Sequence, residues 1–306
     1  MLRSMFAGVS GLRSHQLKMD VIGNNIANVN TTGFKASRVT FQEMYSQTLR
    51  GASAPTASTG GTNPMQVGLG VSTASIDVLH TGGGFQTTDR PLDFAIANDG
   101  FFVVAQATGE TFYTRAGNFY LDPSGNLITA NGMYVQGLGK QVIDPATGEV
   151  TYTPPVVSTP PDPATDDIKA DGSYKDTVLN KICIPDTGFY SAFEVDKSGV
   201  VSAIVASTNE LVVIGQLALG TFVNPGGLTR VGESLYQRSN NSGTPQYWKP
   251  NENGASELGP GCLEMSNVDL SKEFTDMIIT QRGFQANSRV ITVSDTLLEE
   301  LINLKR

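Results

Sequence analysis

Residues Asp20 to Lys35 read DVIGNNIANVNTTGFK. Asn24, Asn25, Asn28 and Asn30 crowd the end of what the apolar positions mark as a helix. Asparagine is a poor helix former, better suited to caps and turns. A helix that carries so many amides is expected to use them against something outside itself.

Working outward, every seventh residue from Met5 is apolar: Met5, Leu12, Met19, Ile26. Leu2, Val9, Ile22 and Val29 flank this row at spacings of three or four. The period predicts a helix over 2–29, roughly 40 Å long, with Gly33 placed for a left-handed cap. On the helical wheel Ile22, Ile26 and Val29 cluster, Asn24 and Asn28 stack on the far side, and Asn25 flanks the seam.

The other end repeats the pattern. Leu270, Met277, Phe284, Ile291 and Leu298 form a second heptad row, and the companion row is apolar only at its ends, Phe274 and Ile302. Ser266, Asn267 and Asp269 supply N-cap candidates, and Asp269 with Glu273 suits the helix dipole. The two thin stripes can pair with each other as a slender hairpin, but without a wide apolar face they are expected to gain their full order by coiled-coil pairing with copies of the same chain.

Between the ends the period changes to that of strands. FFVV, FYTR, NFYL, LIT and MYVQG alternate with tight turns, and FEV, VVSAIVA and LVVIGQLALGTF repeat the design. Phe119–Leu127 and Phe193–Val201 share an Asp-x-Ser-Gly turn between strands, which predicts one β-domain built from both halves of the chain. Six prolines between Gly137 and Asp176, in part TPPVVSTPPDP, mark a linker or a small insertion. GASAPTASTGGTNP, Gly51–Pro64, marks a second soft stretch.

The expected class is therefore α+β, with long terminal helices flanking a β-rich meander or sandwich. Its parts are an N-terminal coiled-coil helix, 1–33; a connecting segment, 34–80; β-domain, 81–137; Pro-rich linker or insertion, 138–180; β-domain again, 181–260; and a C-terminal coiled-coil helix, 261–306.

The 306 residues are 39% hydrophobic and 16% charged, with a net charge of −8. No basic stripe is present to displace counterions, so a nucleic-acid surface is not expected. No run approaches the ~20 apolar residues that cross a bilayer, and Met5–Leu12 is too interrupted for a cleaved secretory signal. Cys183 and Cys262 match neither a zinc motif nor a disulfide framework; free thiols and one bridge both remain open. His15, within the first helix, is expected at a surface or interface, and His80 precedes a triple-glycine turn. Neither has a catalytic context, the glycine runs lack a phosphate-binding frame, and Asp122-Pro-Ser-Gly-Asn lacks the closing Glu of a calcium loop. No catalytic, cofactor or metal residue is nominated.

DVIGNNIANVNTTGFK resembles the N-terminal signature of the bacterial flagellar rod and hook family. SNVDLSKEFTDMIITQRGFQANSRVITVSDTLLEELINL resembles that family's closing helix. RPLDFAIANDGFFVV, FYTRAGNFYLDPSGNLITANGMYVQG and GVVSAIV look like its shared β-domain, and only 138–180 is left unmatched. Within the family the resemblance points to the short hook subunits, with the distal rod subunits as the alternative because of Gly51–Pro64. It implies a motility protein exported unfolded through the flagellar type III apparatus. That protein would assemble outside the cell into a tube, with no cofactor and no membrane insertion. Its partners would be copies of itself, the adjacent rod and hook–filament junction proteins, and a hook cap. Hook assembly would give a curved universal joint that transmits torque; rod assembly, a straight shaft in the basal body.

On this reading the seam between subunits comprises Leu2, Met5, Val9, Leu12, Met19, Ile22, Ile26 and Val29, with Leu270, Phe274, Met277, Phe284, Ile291, Leu298 and Ile302. Asn24, Asn25, Asn28, Gln281, Gln285, Asn287 and Ser288 would fix register by lateral hydrogen bonds.

Overall fold

The computed structural model describes residues 2–55, 60–143, 150–155, 167, 169, 173–184, 190–252 and 256–304. The chain divides into two compact units. A helix unit comprises Met1–Val29, Ala36–Leu79 and Val268–Arg306; a β unit comprises Asn30–Lys35 and His80–Asn267.

In the helix unit, helix α1 spans Leu2–Ala27 and helix α2 spans Leu270–Asn303. Asp269 is the N-cap of α2: its carboxylate accepts from the amides of Ser271 and Lys272 at 2.9 and 3.3 Å, and Glu273 lies in the first turn. The helix therefore begins after a short strand, Cys262–Glu264, which occupies the front of the expected helical segment 261–306. At the other end α1 stops at Ala27 and residues 28–30 form turns. Gly33 does take a left-handed conformation, φ 67°, but it caps no helix. Its N–H donates to Glu264 O at 2.9 Å, and a Cβ there would lie 2.6 Å from the Arg115–Ala116 backbone. Glycine is required because two backbones meet.

The rest of the helix unit is a long two-stranded ribbon. Strand β1, Ser37–Glu43, pairs antiparallel with β4, Val71–Val78; β2, Ser46–Arg50, pairs with β3, Met65–Gly68. A bridge between Ser53 and Thr62 continues the ribbon into the Gly/Ser/Thr-rich stretch, of which 56–59 lie outside the described residues. The expected connecting segment thus carries paired strands. β1 and β4 lie on α1, where the Ser10 hydroxyl accepts from Val71 N at 3.3 Å.

The β unit is built on one antiparallel sheet. Its strands run in the order Tyr190–Val195, Val200–Val205, Leu211–Leu217, Tyr134–Leu138, Phe101–Ala105, Thr111–Thr114, Leu235–Gln237, Thr229–Gly232. Gly137 and Leu138 pair with Leu217 and Gln216, so the two halves of the chain join at the centre of the sheet. Both Asp-x-Ser-Gly turns close alike: Gly125 N donates to Asp122 O at 2.9 Å, and Gly199 N to Asp196 O at 2.8 Å, each glycine at positive φ. The core gathers Phe94, Phe102, Phe119, Leu127, Ile214, Leu217 and Leu219, all essentially inaccessible.

Within 138–180, Lys140–Ile143 pairs with Val150–Thr153, and Leu179–Lys181 adds a strand beside Gln136–Leu138. The prolines Pro145, Pro160, Pro161 and Pro163 lie outside the described residues. Cys183 and Cys262 are both free thiols, which closes the disulfide alternative. The Cys183 thiol is buried, donates to Ser124 O at 3.2 Å, and is pushed up in pKa by burial.

Candidate functional site

The two terminal helices pack against each other inside one chain, antiparallel. Gly8 faces Ile291, Gly11 faces Asn287, His15 faces Gly283, Lys18 faces Asp276 and Asn25 faces Glu273. The pairing surface is small and polar rather than apolar. A Cβ on Gly11 would meet the Asn287 amide at 2.8 Å, and one on Gly283 would meet the His15 ring at 2.7 Å. Ser14, Thr280 and Ser294 are buried along the same face, and Thr280 and Ser294 return their hydroxyls to the carbonyls four residues back. Close approach of two backbones substitutes here for interlocking large side chains.

His15 takes the interface alternative, half-buried where the two helices of the chain pair. Its ring sits edge-on to Phe41 at 5.8 Å, and burial, then Lys18, lowers its pKa. Asn25, 1% exposed, pairs both ways with the backbone of Ser37: its amide donates to Ser37 O at 2.9 Å and its carbonyl accepts from Ser37 N at 3.0 Å. It also donates to Glu273 at 3.3 Å, whose carboxyl burial pushes up. One amide thereby fixes the end of α1, the start of β1 and the first turn of α2. Asn28 donates back to Asn24 O at 2.9 Å, Asn287 donates to Gly283 O at 3.0 Å, and Gln285 accepts from Arg282 at 3.2 Å. These amides have local partners; Asn24, Gln281 and Gln285 face outward, and Ser288 is half-buried.

Of the residues read as a seam, Ile22 is buried, and Met5, Leu12, Met19, Ile26, Val29, Met277, Phe284, Ile291 and Leu298 are half-buried. Val9, Leu270, Phe274 and Ile302 are exposed; the Leu2 side chain lies outside those described. The row thus flanks the pairing inside the chain. Sequence reading missed another apolar row, about 130° round α2 from the first: Ile279, Val290, Val293, Leu297 and Leu301, with exposures between 43% and 58%. Ile279 and Val293, two heptads apart, were the available signal. Arg282, Gln285 and Arg289 interrupt that side and hid it.

Within the β unit lies a feature of another kind. Lys35, from the end of the asparagine-rich signature, is fully buried: its ammonium donates to Glu264 Oε1 at 2.5 Å and to Thr81 O at 2.7 Å. Arg115, 1% exposed, reaches the other carboxylate oxygen at 3.2 Å, and Gly83 N donates to Oε1 at 3.1 Å. Arg230 donates to the backbone carbonyl of Lys35 and stacks over Phe34. His80 stands edge-on to Phe101 and Tyr236, each at 5.5 Å. Burial lowers the Lys35 pKa despite the Glu264 partner. Burial, then Arg115, Lys35 and Arg230, lowers that of His80 to about 4, so its ring is neutral at pH 7. Among the described residues no cluster of His, Cys, Asp and Glu could hold a metal ion, and no helix is long and apolar enough to cross a membrane.

Comparison with known proteins gives the family. Residues 5–35 match a family described as flagella basal body rod protein, residues 95–203 the flagellar hook protein FlgE/F/G D1 domain, and residues 260–304 the flagellar basal body rod FlgEFG protein C-terminal. The chain is 44% identical over 307 positions to the flagellar basal-body rod protein FlgG of Bacillus subtilis, covering all of both chains. It is 33% identical over 443 positions to the flagellar hook protein FlgE of Borreliella burgdorferi, again covering all of both. FlgG of Caulobacter vibrioides is 32% identical over 306 positions, with 99% of this chain and all of that protein covered. With both terminal helices and the β-domain between them accounted for, the chain belongs to the flagellar hook and rod family of structural proteins.

Proposed function

We propose that this protein polymerises through its helix unit into a tube of the flagellar axis, and that the tube is the rod. The observation that supports polymerisation is the uncovered apolar row of α2, Ile279 to Leu301, on a helix whose other face is already used. Stacking copies would bury it, at about 25 cal/mol per Å² of apolar surface removed from water. The observation that favours rod over hook is length. The alignment with the rod protein FlgG takes 307 positions for 306 residues, whereas that with the hook protein FlgE takes 443. The latter accommodates a large segment this chain lacks.

The hook remains the second reading, supported by full-length similarity to hook proteins. On either reading the partners are copies of the chain, the neighbouring axial proteins at each end, and an export apparatus that delivers it to the flagellum. The role is structural, and no residue is assigned to chemistry. Electron microscopy of tubes grown from purified protein tests the choice. Straight, stiff tubes are expected; curved, flexible tubes would return the assignment to the hook, and protein that stays monomeric when concentrated would remove both.

A further inference from the structure

The chain passes between its two units four times, at 29/30, 35/36, 79/80 and 267/268. Inside the β unit the residues next to these passages are tied together. Gly33 N donates to Glu264 O, Lys35 holds Glu264 and Thr81 O, Gly83 N donates to Glu264, and Asn267 donates to Thr81 Oγ1 at 2.9 Å. One carboxylate, Glu264, is the centre of this hub.

Its charge is unbalanced. Three cations stand close to His80: Arg115 lies over Phe101 at 5.4 Å and Arg230 over Tyr236 at 5.9 Å, the two rings that His80 meets edge-on, and Lys35 donates to the carbonyl of the next residue, Thr81. Lys35 and Arg115 share Glu264, from Cys262–Glu264, and Asp99 adds a weaker attraction on Lys35. Tyr236, from Leu235–Gln237, contributes a phenol that burial keeps neutral, and the Pro225 carbonyl adds a small opposing pull on His80. Burial and the three cations all disfavour a charged imidazole at this point.

We propose that the hub is an acid-opened clasp: protonation of His80 adds a fourth cation to Lys35, Arg115 and Arg230 and frees residues 30–35 from the β unit. Segment 30–35 is the piece to yield because it is short, joins no strand of the main sheet, and is held by Lys35, Gly33 and the Arg230 contact. The clasp is a property of the folded chain and is independent of rod or hook assembly.

The test uses the full chain, dilute, with amide exchange followed at Gly33 and Gly83 between pH 7 and 4.5 and corrected for intrinsic rates. Wild type is expected to lose protection about tenfold from pH 6.5 to 5, ahead of the strands Tyr190–Val205. His80→Phe, which keeps an edge-on ring and removes the proton, is expected to lose less than twofold. An equal acid loss in His80→Phe, or a flat wild-type profile, overturns the proposal. If His80→Phe does not fold, the wild-type imidazoles are titrated by NMR, His15→Gln assigning the two signals. A His80 midpoint near 4 moving with the Gly33 amide supports the clasp; a midpoint of 6 or above overturns it.

Discussion

The helix unit and the β unit treat their apolar side chains in opposite ways. Among the described residues, Ile22 and Ala36 are the only apolar side chains fully buried in the helix unit; the β unit holds the rest, from Phe94 to Leu258. Exposure leans the other way: Phe6, Tyr45, Leu49, Met65, Ile278, Ile279, Val293 and Leu301 of the helix unit all stand half or more in solvent, against Phe85, Leu211, Val223 and Val231 in the β unit. One unit finishes its core with its own chain. The other pairs its helices through glycine and small polar residues and leaves its apolar rows in solvent.

The contrast breaks most violently if the β unit's own completeness is removed. Glu264→Ala leaves Lys35 and Arg115 buried without an anion and is expected to cost about 3–5 kcal/mol. Denaturant unfolding followed by Trp248 fluorescence would show the β unit melting early. A loss under 1 kcal/mol would mean the hub relaxes to water.

On the other side of the comparison, Ile279→Asp with Val293→Asp alters only exposed positions. Monomer stability should stay within about 0.5 kcal/mol. The critical concentration for tube growth, read by sedimentation, should rise at least tenfold. Unchanged assembly would show that another face builds the tube.

Gly11→Leu sharpens the contrast from within the helix unit. With Asn287 at 2.8 Å from the new Cβ, the pair must separate, at a cost of about 1–3 kcal/mol. Circular dichroism should lose helix at low temperature while the near-ultraviolet signal of the β unit persists. A single cooperative transition would show the two units to be energetically one.

Acid gives a smaller effect. His80 has a folded pKa of about 4 against an ordinary 6.5, so below pH 6.5 the unfolded chain takes up a proton that the folded chain refuses. Stability from this group is complete above about pH 6.5 and falls until about pH 4, by about 1–2 kcal/mol once its partial exposure is allowed for. Melting of wild type against His80→Phe across that window measures the difference. Asp269→Ala, which removes the α2 cap, should cost about 1 kcal/mol of helix stability, visible as exchange at Ser271 and Lys272.

Much of the architecture was legible in the residues. The seven-residue apolar rows announced both helices, Asp269 its cap, and the repeated Asp-x-Ser-Gly turn the joined β-domain. Asn25 was read as a lateral contact between subunits, whereas its partners here are Ser37 and Glu273 of the same chain, 12 and 248 positions away, which no local pattern names. The ribbon 37–78 went unread because its far half, Ser46–Gly68, is small, polar and weakly alternating. Its strands are defined by pairing with each other, which is not written along either one.

By itself, then, the sequence determined which side chains share a helical face and where strands alternate, because 3.6- and two-residue periods are properties of local backbone geometry. Only the tertiary structure decided which face of α2 is spent on α1 and which stays open, since glycines at 8, 11 and 283 matter through what approaches them. It alone brought Lys35, Arg115 and Glu264 to one point. A buried charge must find its partner in space wherever the chain provides one, and distance along the sequence carries no information about that choice.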